Sequence, residues 1–376
     1  MIRSFFSDRR VRYLATAAVV VLVVISAFLV KNHFDKKTYH NYEVVKSADK
    51  SSLVSRFTWF DGYVVRYMED GATLLNKNLE SVWSLTYSMG DPQVDTCGDQ
   101  ILIYDRGGTG VYIYNEKGKV SSFETADQIL LARISAKDTI AVLMRNGEKE
   151  SFVYYTKDGA EIASGISSMS DPGYPFAMDV SNDGMNLAIS YLTCSDGNTG
   201  SEVRFYHFEN GGGGSDRLQG ELRYSGVFVP ELEYLNGKHC MVIRDDGFTV
   251  AKDLKNSEHN HDVVFQKDIV STFHDNEYMG FIFRSEDAAH RFEMQMYSAA
   301  GNHVSTAFVD FAYTGTRVCG NEVIMNNSSD FAIYSMDGVC RFTGKVKSGS
   351  ITDVLKLGRN RYLLVTDQQM QVIRLQ

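Results

Sequence analysis

The stretch Ile101–Val120, ILIYDRGGTGVYIYNEKGKV, decides how this chain folds. Two alternating apolar segments, ILIY and VYIYN, flank a glycine-rich turn, and a second turn at Lys117-Gly118 leads into a third extended segment. Alternation with period two is the pattern of a strand with two distinct faces, and glycine supplies the positive φ that tight hairpins need. The same grammar returns along the chain. Thr139–Arg145 (TIAVLMR) meets Asn146-Gly147 and then SFVYYT, and second turns recur at Asp158-Gly159, Asp337-Gly338 and, less clearly, Ala300-Gly301.

Hairpins of this kind, expected to be the inner ones of their blades, begin near Tyr63, Ile101, Ile140, Leu187, Met241, Met279, Val323 and Tyr362. Their spacing clusters near 40 residues, widening to 47 and 54 around Leu187. A repeat of that period built only from strands predicts an all-β, eight-bladed β-propeller of four-stranded antiparallel blades, in which stacked neighbours complete each core. The last copy (DVLKLG, RYLLVT, QVIRLQ) is one strand short. Tyr42–Lys46 (YEVVK) is the β-prone segment without another home, and we expect it to form the outer strand of the last blade, closing the ring near 42–46.

Composition agrees with one large all-β domain. Apolar residues make up 44% and aromatics 12% of 376 residues, and only 4 prolines interrupt the ladders. The charge of −9 is uneven. Residues 1–12 carry Arg3, Arg9, Arg10 and Arg12 against Asp8, so the tail is basic and the body strongly acidic. An acidic body argues against nucleic acid as a partner, because phosphate binding needs a basic surface.

Between tail and body, Tyr13–Val30 (YLATAAVVVLVVISAFLV) runs 18 residues without a charge. As a helix it reaches about 27 Å, close to the thickness of a hydrocarbon core. It is longer than the apolar part of a signal peptide, and KNHFDKK follows where cleavage would be expected. The sequence therefore predicts a cytoplasmic basic tail (1–12), an N-terminal transmembrane helix (13–30), a tether (31–41) and a propeller (42–376). The chain would sit in the cell membrane as a single-pass protein, N-terminus cytoplasmic and propeller outside. The five cysteines, Cys97, Cys194, Cys240, Cys319 and Cys340, are odd in number and irregularly spaced, and read as incidental strand residues.

The copies ending in Asn-x-Lys-Gly-Lys or Lys-Asp-Gly-Ala, and once in LESVW with Trp83, resemble degenerate quinoprotein-type (PQQ-like) propeller repeats. Met178–Ser190 (MDVSNDGMNLAIS) resembles the Ser-x-Asp-Gly turn of other bacterial propellers. The whole arrangement is similar to an uncharacterised family of single-pass, membrane-anchored propeller proteins of Gram-positive bacteria. That resemblance covers nearly all of residues 42–376. It implies an eight-bladed PQQ-like propeller outside the membrane and supplies no activity.

Motifs for chemistry are sparse. Quinoprotein dehydrogenases have a tryptophan floor, a calcium site and often adjacent cysteines. Here only Trp59 and Trp83 occur, both in the first repeat, and no concentration of ligands in the centre is visible. His259 and His261, flanked by Glu258 and Asp262, form an H-x-H pair that reads as a polar turn between blades. Gly211–Gly214 lacks the Lys-Ser/Thr of a phosphate cradle, and with Cys194–Gly200 reads as an exposed loop. Lys347–Ser350 (KSGS) has no nucleophile elbow. Asp105-Arg106 and Asp245-Asp246 fall at hairpin turns and read as solvated turn residues. No catalytic, cofactor or metal residue is assigned from sequence.

The reading is a membrane-anchored binding or scaffold module, without catalysis, for another envelope protein or a cell-wall polymer. The alternative is a cell-wall glycan-active enzyme with a carboxylate pair near the central channel. A sensor signalling through its helix is less well supported, because Val19–Ile25 carries no small-xxx-small seam.

Overall fold

The computed structural model describes residues 37–376 except 50–54, 148, 168–171, 196, 209–216, 236–238, 253–259 and 276. It also describes Tyr13, Thr16, Ala17, Val19–Val23 and Ser26, all helical. Half of the 13–30 segment lies outside the described residues, as do His259 and Gly211–Gly214. Among the described residues no helix is long and apolar enough to cross a membrane.

Eight four-stranded sheets follow one another along the chain, each a meander in which successive strands pair antiparallel. We number them as blades 1 to 8, spanning residues 56–86, 92–124, 128–167, 174–225, 231–264, 269–309, 315–345 and 351–375. Blade 8 takes its fourth strand, Tyr42–Asp49, from the other end of the chain. That strand pairs antiparallel with Gln369–Leu375, Tyr42 opposite Leu375 and Asp49 opposite Gln369.

The hairpins legible in the sequence are the second and third strands of each blade, not the innermost. The strand before the hairpin is the one that lines the central channel in blades 1 to 7: Arg56–Phe60, Pro92–Cys97, Gln128–Ile134, Tyr174–Val180, Glu231–Leu235, Ile269–His274 and Gly315–Val318.

Alternation in the hairpins does two jobs at once. In Gln100–Asp105 and Gly110–Asn115, the residues Ile101, Ile103 and Tyr114 pack with Val65, Tyr67 and Leu74 of blade 1. Their neighbours Leu102, Tyr104, Val111 and Ile113 pack with Ile129, Ile140 and Val142 of blade 3. This sheet is thus apolar on both faces, and the core lies in layers between blades, those on either side of blade 8 merging into one cluster.

One expectation differs from the structure. Cys194–Gly200 was expected as a loop, but the strands themselves lengthen: Asn186–Ser195 and Asn198–His207 stay paired out to Ser195 opposite Asn198. Continued backbone pairing satisfies donors and acceptors that an exposed loop would leave to water. Cys194 then sits exposed at the hairpin tip. All five cysteines are free thiols.

Candidate functional site at the end of the channel

The inner strands are short, and each must seal an inter-blade layer with one face while the other meets the channel. On Glu231–Leu235, Leu232 and Tyr234 enter the layer shared with blade 4, which turns Glu231 and Glu233 together to the opposite face. On Tyr174–Val180, Met178 and Val180 are buried on either side of Asp179, and on Ile269–His274, Phe273 is buried beside His274. Ala132 and Ile134 likewise flank Arg133.

These charged residues meet where the inner strands end. There the channel opens into a cavity of about 650 Å³. Asp95, Arg133, Asp179, Glu231, Glu233 and His274 line it, with Trp59 and Arg317 on the far wall and Asp61, Asp275 and Glu277 on the adjoining turns. The Ser-x-Asp-Gly turn contributes Asn182, whose Oδ1 lies 3.3 Å from the Cys97 sulfur. That turn is built for closeness: Gly184 has φ +70°, and a Cβ there would sit 2.3 Å from Thr139 Oγ1.

His274 is the most tightly held group. Its Nε2 lies 3.1 Å from Glu233 Oε1 and 3.5 Å from Glu231 Oε1. Burial alone would push the imidazole pKa down, but the two carboxylates outweigh it and hold the pKa well above its usual value. Glu231 is the reciprocal case. Burial raises its pKa, but hydrogen bonds from His274 and from Thr272 Oγ1 (2.9 Å to Oε2) leave it below the ordinary range.

Asp95 and Asp179 behave oppositely. Burial pushes both carboxyls up, Asp179 well up with Glu233 adding to it, and Arg133 only partly compensates. Each carboxylate has one anchored oxygen: Asp95 Oδ2 accepts from Ile134 N at 2.8 Å, and Asp179 Oδ2 accepts from Tyr234 N at 2.6 Å. Arg133 stands among Asp95, Glu233 and Asp179, which raise its pKa against the effect of burial. Its guanidinium makes no hydrogen bond or ion pair with any described residue. Burial, followed by Asp95, pushes the Cys97 thiol to about 12, so it is not a poised nucleophile.

Across the channel the picture closes. Arg317 pairs with Asp353 of blade 8 at 3.0 Å and donates to the Phe57 carbonyl at 3.1 Å. Trp59 Nε1 is buried and has no hydrogen-bond partner among the described residues.

Sequence reasoning singled out none of the channel charges. The available signal was one or two charges in each short apolar segment just before a hairpin: VDT at Asp95, ARIS at Arg133, MDVS at Asp179, ELEYL at Glu231 and Glu233, FHD at His274. The charged turn residues legible in the sequence have local partners. Asp105 Oδ1 accepts from Asp91 N at 2.9 Å, and Arg106 Nε donates to Asp91 at 2.6 Å. Asp245 accepts from Phe228 N at 3.1 Å, and Asp246 pairs with Arg244 at 2.8 Å. His261 begins an outer strand, far from the channel. Trp83 donates its Nε1 to the Asn115 carbonyl at 2.9 Å, while Trp59 alone reaches the cavity.

The chain belongs to the family of unknown function DUF5711, whose model matches residues 35–375. No curated protein matches the sequence. Among solved structures, the computationally designed Ika8 protein superposes with a TM-score of 0.53 at 11% identity, covering 90% of this chain and 100% of its own. Apo AztD from Citrobacter koseri does so with a TM-score of 0.50 at 12% identity, covering 81% of this chain and 86% of its own. At such identities the likeness is one of fold alone.

Proposed function

We propose that this protein is a non-catalytic binding module that takes its ligand in the acidic cavity at the end of the propeller channel. In this reading it is tethered to the cell membrane by residues 13–30, with the disc on the outer side and an envelope protein or cell-wall polymer as its partner. The observation that carries the proposal is the cavity: its volume suits a small ligand or a protruding polar group, and its charged lining comes from several blades. A channel needed only for packing would be filled with aliphatic side chains. The tether is supported by the uncharged 13–30 run and by Val19–Val23, which are helical and more than half exposed. The repeat grammar supports a place among PQQ-like propellers.

One observation favours a second reading, the glycan-active enzyme. Glu231 is held ionised while Asp95 and Asp179 are pushed towards the protonated form, a separation that acid–base chemistry requires. The pairing of Glu231 and Glu233 with His274 weighs against it, because it occupies those carboxylates in a closed ion cluster.

The two readings separate in intact cells carrying a photoreactive residue at Asp61 or Glu277, at the mouth of the cavity. Binding predicts reproducible capture of an envelope protein or wall fragment, and no such capture from exposed Lys345 on an outer strand. Capture of cytoplasmic proteins only would overturn the topology. Glycan hydrolysis that disappears in Asp179→Asn would favour the enzyme. Orientation is checked by an impermeant maleimide, which should label exposed Cys194 and Cys340 without lysis.

A further inference from the structure

We propose that Glu231, Glu233 and His274 form a site for a divalent transition-metal ion of the zinc type, with Asp179 on the wall of the same cavity. The inference deepens the reading of the channel end as a ligand cavity and rests on it.

Geometry carries the argument. One ligand atom from each of the three residues lies within 4.8 Å of the others. Zinc binds imidazole nitrogen and carboxylate oxygen at about 2.0–2.2 Å in a tetrahedron, so two donors on one ion stand roughly 3.3–3.6 Å apart. The Nε2 of His274 already stands 3.1 Å from one carboxylate oxygen and 3.5 Å from the other. Little beyond a carboxylate rotation is needed to seat an ion. The donors are also held by the fold: Glu231 and Glu233 share one face of a strand, and His274 ends the inner strand of the next blade. Thr272 Oγ1 fixes the second oxygen of Glu231 at 2.9 Å, the kind of outer contact that orients metal-binding carboxylates.

A second observation is independent of the triad. Asp179 reaches the same cavity from blade 4 with one oxygen tied to Tyr234 N, while its other oxygen takes no hydrogen bond from any described residue. Around this point four carboxylates (Asp95, Asp179, Glu231, Glu233) face one guanidinium and one imidazole. The surplus of carboxyl groups over cations suits a dication, which would favour their ionised forms. The imidazole selects which one: calcium and magnesium take oxygen ligands, whereas histidine with carboxylates suits zinc and its first-row neighbours. On binding, the ion replaces the Nε2 proton that now faces the two carboxylates, and that proton leaves to solvent.

The test uses the full chain in detergent, stripped with a chelator and titrated with Zn²⁺ against a chromophoric competitor. One equivalent is expected to bind. His274→Ala and Glu233→Gln should each abolish stoichiometric binding, and Thr272→Val should weaken it about 10-fold or more. Co²⁺ in place of Zn²⁺ should give an intense tetrahedral visible spectrum in the native chain and lose it in Glu233→Gln. Unfolding curves identify any variant that failed to fold, and Glu231→Gln, isosteric and at the same site, then takes its place. Absence of stoichiometric binding to the native chain, or binding undiminished in folded Glu233→Gln and Glu231→Gln, would overturn the site. If metal binding fails while capture at Asp61 persists, the ligand cavity stands and the ion alone is wrong.

Discussion

Two clusters of buried charge sit on opposite sides of this ring, and they are built on contrary principles. Between blades 7 and 8, Glu322 is completely buried and Arg341 nearly so. Glu322 Oε1 is paired with Arg341 Nη1, while its Oε2 accepts from Tyr362 Oη at 2.8 Å and meets Lys356 Nζ at 3.2 Å. The Arg341 Nε donates to the Lys37 carbonyl at 3.2 Å, and its guanidinium lies 5.6 Å from the Tyr39 ring centre. Both carboxylate oxygens are taken, and cations outnumber the anion. At the channel end the opposite holds: carboxylates outnumber cations, and among the described residues one oxygen of Asp179 takes no hydrogen bond and Arg133 stands near three acids without a direct contact. A closed cluster staples blades and the N-terminal approach together. An open one leaves electrostatic work for something that arrives from outside.

The sharpest way to break the comparison is Glu322→Gln. It should strand Arg341 and Lys356 and cost about 3–5 kcal/mol in urea unfolding. A loss below 1 kcal/mol would show that the cluster is not a staple. Tyr362→Phe, which removes one hydrogen bond to the buried carboxylate, should cost about 1–3 kcal/mol in the same experiment.

At the channel end, the same kind of change should have the other sign. Asp95 is faced by Arg133, Glu233, Asp179, Cys97 and Tyr104, and burial raises its carboxyl above the unfolded value. A raised carboxyl contributes most below its unfolded pKa, and the contribution is lost as pH rises through the folded value. Asp95→Asn should therefore match the native chain near pH 3.5 and become relatively more stable as pH climbs, by about 1 kcal/mol at neutrality. A variant less stable at pH 7 would mean that Asp95 is a satisfied ion like Glu322.

The smallest effect belongs to the rim. Asp91 joins Arg56 of blade 1 to Arg106 of blade 2, at 3.1 and 2.5 Å. Burial pulls its carboxyl up, but the two arginines hold it below the usual range. That contribution is present above the unfolded value and fades as pH falls through the folded one. Asp91→Asn should cost at most about 1 kcal/mol near neutrality, since all three groups are partly exposed, and less on acidification. Thermal melts at pH 6 and pH 2.5 measure it.

What was legible in the sequence divides along the same line. Hairpins such as Ile101–Val120 declare themselves, because alternation and turn glycines act over a few residues. Eight of them at a near-constant period are enough to count blades. The channel charges carry no local signal of that kind. Asp179 is one acid in MDVS and His274 one histidine in FHD, each ordinary at the end of a short strand. Their meaning comes from convergence: residues 41 apart, such as Glu233 and His274, meet only because inner strands of adjacent blades run side by side. The one H-x-H pair that spacing did offer leads to His261 on an outer strand, away from the channel. Lengthened hairpins mislead for a related reason, since polar, glycine-containing Cys194–Gly200 has the composition of a loop while its backbone remains mostly in the ladder.

The strand Tyr42–Asp49 sets a timetable for the ring. Its partner leaves the ribosome much later, with Glu43 and Arg374 separated by 331 positions. At about 5–20 residues per second, this first strand waits tens of seconds for a mate. Throughout that wait seven blades can stack, but the circle stays open and both its edges are bare. The waiting segment YEVVKSAD carries Glu43, Lys46 and Asp49 among its valines. Charges of both signs on an unpaired edge discourage a neighbouring chain from taking the place reserved for residues 369–375.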